Sequence, residues 1–222
     1  MSDRPLRTDA RRNRARILDA TADAIAADPM ASLARIAARA GVSRVTLYAH
    51  FPSRDALMDA LTARSAQEVT AALTAARPQD GPAGAAMERV LIAASDTIGR
   101  YRGLVIINQR LAPAELRRRT GPAIAVVRSL ILRGQRSGTF DPELSAEWLL
   151  TVVVDLIHSA SRQVTMDAMT PEAAQHALLR SAASVLSGHR LTPQTPHPRR
   201  LAAETTSDGR DARARATETK AE

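Results

Sequence analysis

The chain has 222 residues and no cysteine, so disulfides and thiolate metal sites are excluded, while one large or two small domains with a sizeable core are allowed. Hydrophobic residues make up 45% and aromatics only 2%, Ala and Leu dominate, and no segment alternates like a strand, which predicts an all-α fold. The net charge of +8 divides as +3 over residues 1–60, +3 over 61–188 and +2 over 189–222, so it permits a polyanionic partner without marking a basic domain.

Residues 1–9 read as a loose basic arm, in which Arg4 and Arg7, with Arg11, Arg12 and Arg14 beyond, track a phosphate backbone, enter a minor groove or are simply solvated. Between Ala10 and Ala27, the stripe Ile17, Thr21, Ala24 and Ile25 predicts a helix that Asp28-Pro29 ends. Leu33, Ile36, Ala37 and Ala40 form the apolar face of a second, short helix. Gly41 can take the left-handed backbone that turns the chain, and Ser43 can cap the helix that follows. Pro52 stops that helix and Ser53 starts another. Residues 10–52 therefore read as a helix-turn-helix unit, whose second helix normally enters the DNA major groove.

Ile36-Ala37, the turn Ala40-Gly41-Val42-Ser43, Leu47-Tyr48, His50-Phe51 and Ser53-Arg54-Asp55-Ala56-Leu57 together resemble the TetR family of bacterial transcriptional regulators. The resemblance implies an N-terminal three-helix DNA-binding domain, then an α-helical ligand-binding and dimerisation domain, about nine helices in all. It also implies a recognition helix at Ser43–His50. Arg44 and Val45 then stand at its first turn, where Val45 offers apolar contact, for example to a thymine methyl. Arg44 either pairs with guanine O6 and N7 or meets a phosphate. Thr46, Tyr48 and His50 match positions that usually touch the sugar-phosphate backbone. Tyr48 can equally be a core tyrosine, and His50 can brace Phe51. Ser32 and Ser53 begin helices, where capping alone accounts for both and phosphate contact at either would be additional. Arg54 matches a basic, phosphate-facing position.

A connecting helix follows over 53–76, with Leu57, Leu61, Val69, Ala72 and Leu73 inward, and Arg77-Pro78-Gln79-Asp80-Gly81-Pro82 breaks it. A second domain is expected over 84–188. Its first helix spans Ala85–Tyr101, with Val90, Leu91, Ala94 and Ile98 on one side. Gly103–Leu111 is short and apolar, and Pro113 with Arg117-Arg118-Arg119 marks a polar corner. A helix over Pro122–Arg136 closes at Ser137-Gly138. Asp141, with Pro142 in first position, caps a long helix to Met169, and Thr170-Pro171 opens the last helix, which runs to Leu186. Residues 189–222 hold Pro193, Pro196 and Pro198 but few apolar side chains, and are expected to be a disordered tail.

One helix-turn-helix covers only a half-site, so a palindromic operator in double-stranded DNA implies a homodimer. Leu149, Val152, Val153, Leu156 and Ala160 share one face of the long helix, and Ala173, Ala177, Leu178, Ala182 and Val185 one face of the last. In the family such helices pair with their twins in a four-helix bundle; otherwise they pack inside the monomer. Tyr101, Asn108, Gln109, Trp148, Asp155, His158 and Arg162 are polar or amphipathic residues in apolar surroundings, expected to line a small-molecule cavity or to satisfy one another. The composite expectation is a cytoplasmic repressor released by a small-molecule effector, without cofactor, metal or membrane span. The alternatives are a ligand-insensitive DNA-binding or architectural protein, or a helical enzyme. The enzyme reading lacks a phosphate loop, a nucleophile elbow and any His-x-x-x-His pair.

Overall fold

The computed structural model describes residues 4–108 and 113–188, with nine α-helices and no strand among them. In chain order they are α1 (Arg4–Ala27), α2 (Leu33–Arg39), α3 (Arg44–His50), α4 (Arg54–Ala75), α5 (Ala83–Arg100), α6 (Arg102–Asn108), α7 (Pro113–Arg136), α8 (Ala146–Thr165) and α9 (Pro171–Leu186).

Local chemistry sets most of these boundaries. Ser32, Ser43, Ser53, Ser145 and Thr170 each stand in extended backbone before a helix, and each side chain accepts a bond from the amide three residues on. One orphan donor per helix start is thereby satisfied. At the end of α2, Gly41 takes φ +63°. The Val42 amide then donates to the Ala37 carbonyl and the Gly41 amide to Ala38, both at 3.1 Å, which closes the helix and turns the chain toward α3.

Two hydrophobic cores result. The first joins α1 to α4 through Ile17, Ile25, Ile36, Leu47, Phe51 and Leu57, and also takes in Tyr101 and Leu104. The second joins Leu73 of α4 to Val90, Leu130, Leu149, Val153 and Leu178 from α5, α7, α8 and α9. Helix α4 is common to both, because its 22 residues span about 33 Å at the helical rise. The start of α6 lies against α1 so closely that a Cβ on Gly103 would stand 2.4 Å from the Ile25 carbonyl oxygen.

Four expected boundaries are corrected. Of the expected arm, residues 1–3 lie outside the described residues and Arg4–Asp9 are helical as the first turns of α1; Pro5 sits in the first turn, where its missing N–H costs nothing. Pro113 opens α7 instead of a polar corner, and the helix runs on through Pro122, whose loss of one bond is offset by Ala123, Ile124 and Val127 packing on the second core. Helix α8 starts at Ala146 under Ser145, not at Asp141, and ends at Thr165, before Met169. Asp141 instead turns the loop by accepting from the Glu143 amide at 2.7 Å, and Gln135 donates to the carbonyls of Asp141 and Leu144. Gly103–Leu111, read only as a short apolar stretch, carries helix α6. The expected tail at 189–222 lies outside the described residues.

Gly103→Ala is expected to lower stability by about 1–3 kcal/mol in urea denaturation, because backbone and not a flexible side chain blocks the new methyl. Gly99→Ala in α5, with nothing within 4 Å, should raise it by about 0.5–1 kcal/mol. Equal effects at the two sites would contradict the close approach of α6 to α1.

Candidate nucleic-acid interface and internal cavity

Helix α3 is held by what it buries. Leu47 and Phe51 are each 1% exposed, fixing the rotation of the helix against the first core. With that face inward, Arg44, Val45, Tyr48 and Ala49 turn outward, Val45 at 79% exposure and Tyr48 at 48%. An aliphatic side chain so exposed at a helix start has no packing role within the chain. Arg44 forms no ion pair or hydrogen bond among the described residues, so its fork is available. Ser43 caps the Thr46 amide at 3.0 Å and its hydroxyl meets that of Thr46 at 2.9 Å, so both rigidify the first turn. His50 is half-buried beside Phe51, ring centroids 6.4 Å apart, in the bracing position.

Arg54 is the correction in this surface. Its guanidinium donates to the Ala31 carbonyl and, at 2.9 Å, to the Pro29 carbonyl, bracing the loop between α1 and α2. Two of its five N–H donors are thus committed to backbone oxygens, which makes the side chain a structural tie within the unit and leaves fewer donors for a phosphate. One further arginine, Arg16, escaped the sequence reading, and another, Arg14, takes a different role from the one expected. Arg16 donates to the Ala40 carbonyl at 2.7 Å and supports the turn at Gly41. Arg14 lies 4.6 Å over the Phe51 ring, a cation–π contact rather than part of a backbone-tracking arm. Neither contact has a sequence signature, because each joins residues some 24 to 37 positions apart only after docking.

A cavity of about 460 Å³ opens between α4, α5, α7 and α8. Of the seven expected lining residues, Tyr101, His158 and Arg162 are there. Trp148, 57% exposed, and Asp155, also exposed, are not; they lie seven residues apart on the outer face of α8, while Leu149, Val153 and Ile157 take the inner one. The Asn108 side chain and all of Gln109 lie outside the described residues. Thr62, Ser65, Arg119 and Thr120, which the sequence reading did not single out for this role, also line the space.

Charge is unevenly placed around it. Burial and the nearby Arg162 charge lower the His158 pKa, with Asp155 opposing, so the imidazole is neutral at pH 7. Burial, with the Glu68 carboxylate facing it, pushes the Tyr101 phenol up to about 12. Burial disfavours the charged Glu68, but Arg64, Tyr101 and Arg100 outweigh it and its pKa is lowered. Arg64 meets Glu68 at 2.8 Å and Asp19 of α1 at 2.6 Å, so the polar chain behind the cavity wall ends on the helix that carries the DNA-binding unit.

The faces expected to pair between copies divide in two. Leu149, Val153, Leu178 and Ala182 are no more than 2% exposed and are removed from any interface, since they build the second core. Val152, Leu156, Ala160, Ala173, Ala177 and Val185 keep surface exposure.

Comparison with known proteins bears on this architecture. Residues 17–61 match the family model for bacterial regulatory proteins of the tetR family. The HTH-type transcriptional repressor LfrR of Mycolicibacterium smegmatis is 41% identical over 80 residues, 36% of this chain, which spans under half (42%) of that repressor. The structure of LfrR in complex with proflavine aligns at a TM-score of 0.66 and 27% identity, covering 79% of this chain and 97% of that one. The fatty acid degradation regulator FadR of Bacillus halodurans shares the fold at a TM-score of 0.64 and 18% identity, over 80% and 95% of the two chains. FadR of Bacillus subtilis, solved with stearoyl-CoA, does so at 0.61 and 18%, over 77% and 98%. These proteins are transcriptional regulators. Residues 17–61 thus carry the DNA-binding unit of bacterial regulatory proteins of the tetR family, and the described chain shares the fold of TetR-like regulators over about four fifths of its length (79%).

Proposed function

We propose that the chain is a repressor that binds a two-fold symmetric operator as a homodimer, each copy placing α3 in the major groove, and that a small molecule in the α4–α5–α7–α8 cavity releases it. The observation that carries the reading is the first turn of α3. It is fixed from behind by Leu47 and Phe51, and it presents an unpaired arginine and a bare valine to solvent. That is the disposition major-groove readers use. Tyr48, Thr46 and the Ser32 cap supply neutral donors for the flanking phosphates. The homodimer is supported by the half-exposed aliphatic stripe of α8 and α9 that remains after the core is subtracted. Release is supported by the cavity's place against α4, which ends in both cores. An effector can shift binding only by its differential affinity for the two arrangements of that helix. LfrR with proflavine and FadR with stearoyl-CoA are relatives of this fold that hold small molecules.

Selection of bound sequences from a random duplex pool tests the reading, and a symmetric site is expected. Arg44→Ala should then relax the preference at one base pair per half-site, a loss of about 1–3 kcal/mol of discrimination. Unchanged preference with a shallower salt dependence would assign Arg44 to a phosphate instead.

Arg54→Ala is expected to lower unfolding stability by about 1.5–3 kcal/mol, through loss of charged hydrogen bonds to the α1–α2 loop, without changing sequence preference. A salt slope reduced by about one at unchanged stability would restore the phosphate role.

Val152→Arg combined with Ala177→Arg should convert a dimer to a monomer in light scattering while the helical circular dichroism is retained. A dimer that survives both changes would place the interface elsewhere.

A further inference from the structure

The cavity is graded along its length, and helix directions set the grading. Helices α7 and α8 pack together as a hairpin about residues 137–145. Arg119 lies 17 residues before the end of α7 at Arg136, and Arg162 lies 16 residues beyond the start of α8 at Ala146. At the helical rise both stand about 25 Å from the loop. Val127 and Val154, which also line the space, stand about half as far. Arg119 further bonds the Asp59 carbonyl at 3.1 Å, which fixes this end beside the first half of α4, whereas Leu73 lines the cavity near the far end of α4. One end is therefore basic and polar, the other aliphatic.

The composition of the wall narrows the occupant. Among the described lining residues there is no carboxylate, and Tyr101 is the one aromatic ring besides the His158 imidazole. A cation brought into this space would meet the Arg162 guanidinium, which has no ion pair among the described residues, with no lining carboxylate and little π surface to offset its desolvation. An anion meets the opposite situation. Asp59 already holds one edge of Arg119, but Arg162 donates only to the neutral Ser159 hydroxyl at 2.9 Å and forms no ion pair among the described residues. The imidazole of His158, one helical turn before it, can donate as well. An aliphatic body would remove the Val69, Leu73, Ile124 and Val154 surfaces from water.

We infer that the cavity takes an amphipathic anion, an aliphatic chain with one acidic head, the head held at the Arg162–His158 end. This rests on the reading of the cavity as the effector site and names the chemical class of the effector. The volume of about 460 Å³ falls within the range of small-molecule pockets.

The test uses three probes with one tail, dodecanoate, dodecanol and dodecyltrimethylammonium, each below its micelle-forming concentration. They are titrated calorimetrically into the full chain, and duplex release is followed by fluorescence anisotropy. Dodecanoate is expected to bind at least tenfold tighter than the other two and to release the selected duplex. Arg162→Gln should weaken dodecanoate about tenfold, or 1.4 kcal/mol, and leave dodecanol unmoved. Equal or tighter binding of the alcohol or the cation overturns the inference, as does an Arg162→Gln protein that binds dodecanoate normally. So does a failure of all three to bind. If the alcohol or cation binds and releases the duplex, the effector-site reading survives while the anion assignment falls. A chain that selects no duplex yet binds dodecanoate would strike the regulator reading alone.

Discussion

The burial of Leu47 and Phe51 is the constraint on which the DNA-facing surface depends. A seven-residue helix is too short to persist alone in water, so α3 exists because two large side chains anchor it to the first core. Anchoring also sets its phase. With Leu47 inward, Val45, two positions before it, must face outward, while Arg44 is exposed because it stands at the very start of the helix. The cap at Ser43 and the glycine turn before it are local devices that start the helix at the right residue. Arg16 and Arg14 then hold the turn and the Phe51 ring from α1.

The two cores are joined by few elements, and each junction is specific. Helix α4 runs from one to the other, Gly103 lets the start of α6 lie directly on the backbone of α1, and Arg64 joins Glu68 to Asp19. The Arg64 pairs are partly exposed, so they contribute little as isolated ion pairs; their importance is directional. Tyr101 belongs to the cavity wall and to the first core at once, and its hydroxyl faces the same Glu68. A molecule that displaced Tyr101 would disturb a packed contact and a polar chain that both end on α1. Two discrete arrangements of such a junction are what coupling between the sites requires.

What the sequence made legible was local. Caps at Ser32, Ser43 and Thr170, the stop at Gly41 and the family pattern through Leu57 are set by neighbours within four residues, and the structure keeps them. What it hid was rotational or long-range. In α8 the polar residues Trp148 and Asp155 look conspicuous among aliphatics and invite an inward placement, yet seven-residue spacing puts both on the outer face. Leu149 and Val153 invite an interface and instead fill the core, because sequence alone does not say which of two apolar stripes faces its own chain. Arg54 has the same difficulty: a basic residue at a helix start reads as an anion contact until the Pro29 and Ala31 carbonyls are seen beside it. Asp141 and Ser145 are both competent caps, and the loop bonds of Gln135 decide between them.

The central claim, that the exposed first turn of α3 enters the major groove in two symmetry-related places, is tested most directly by methylation protection at guanine N7 on a selected duplex. Protection of two short patches with centres about one helical turn, roughly 10 base pairs, apart would agree with it. An unprotected N7 throughout, or a single patch without a symmetric mate, would contradict it.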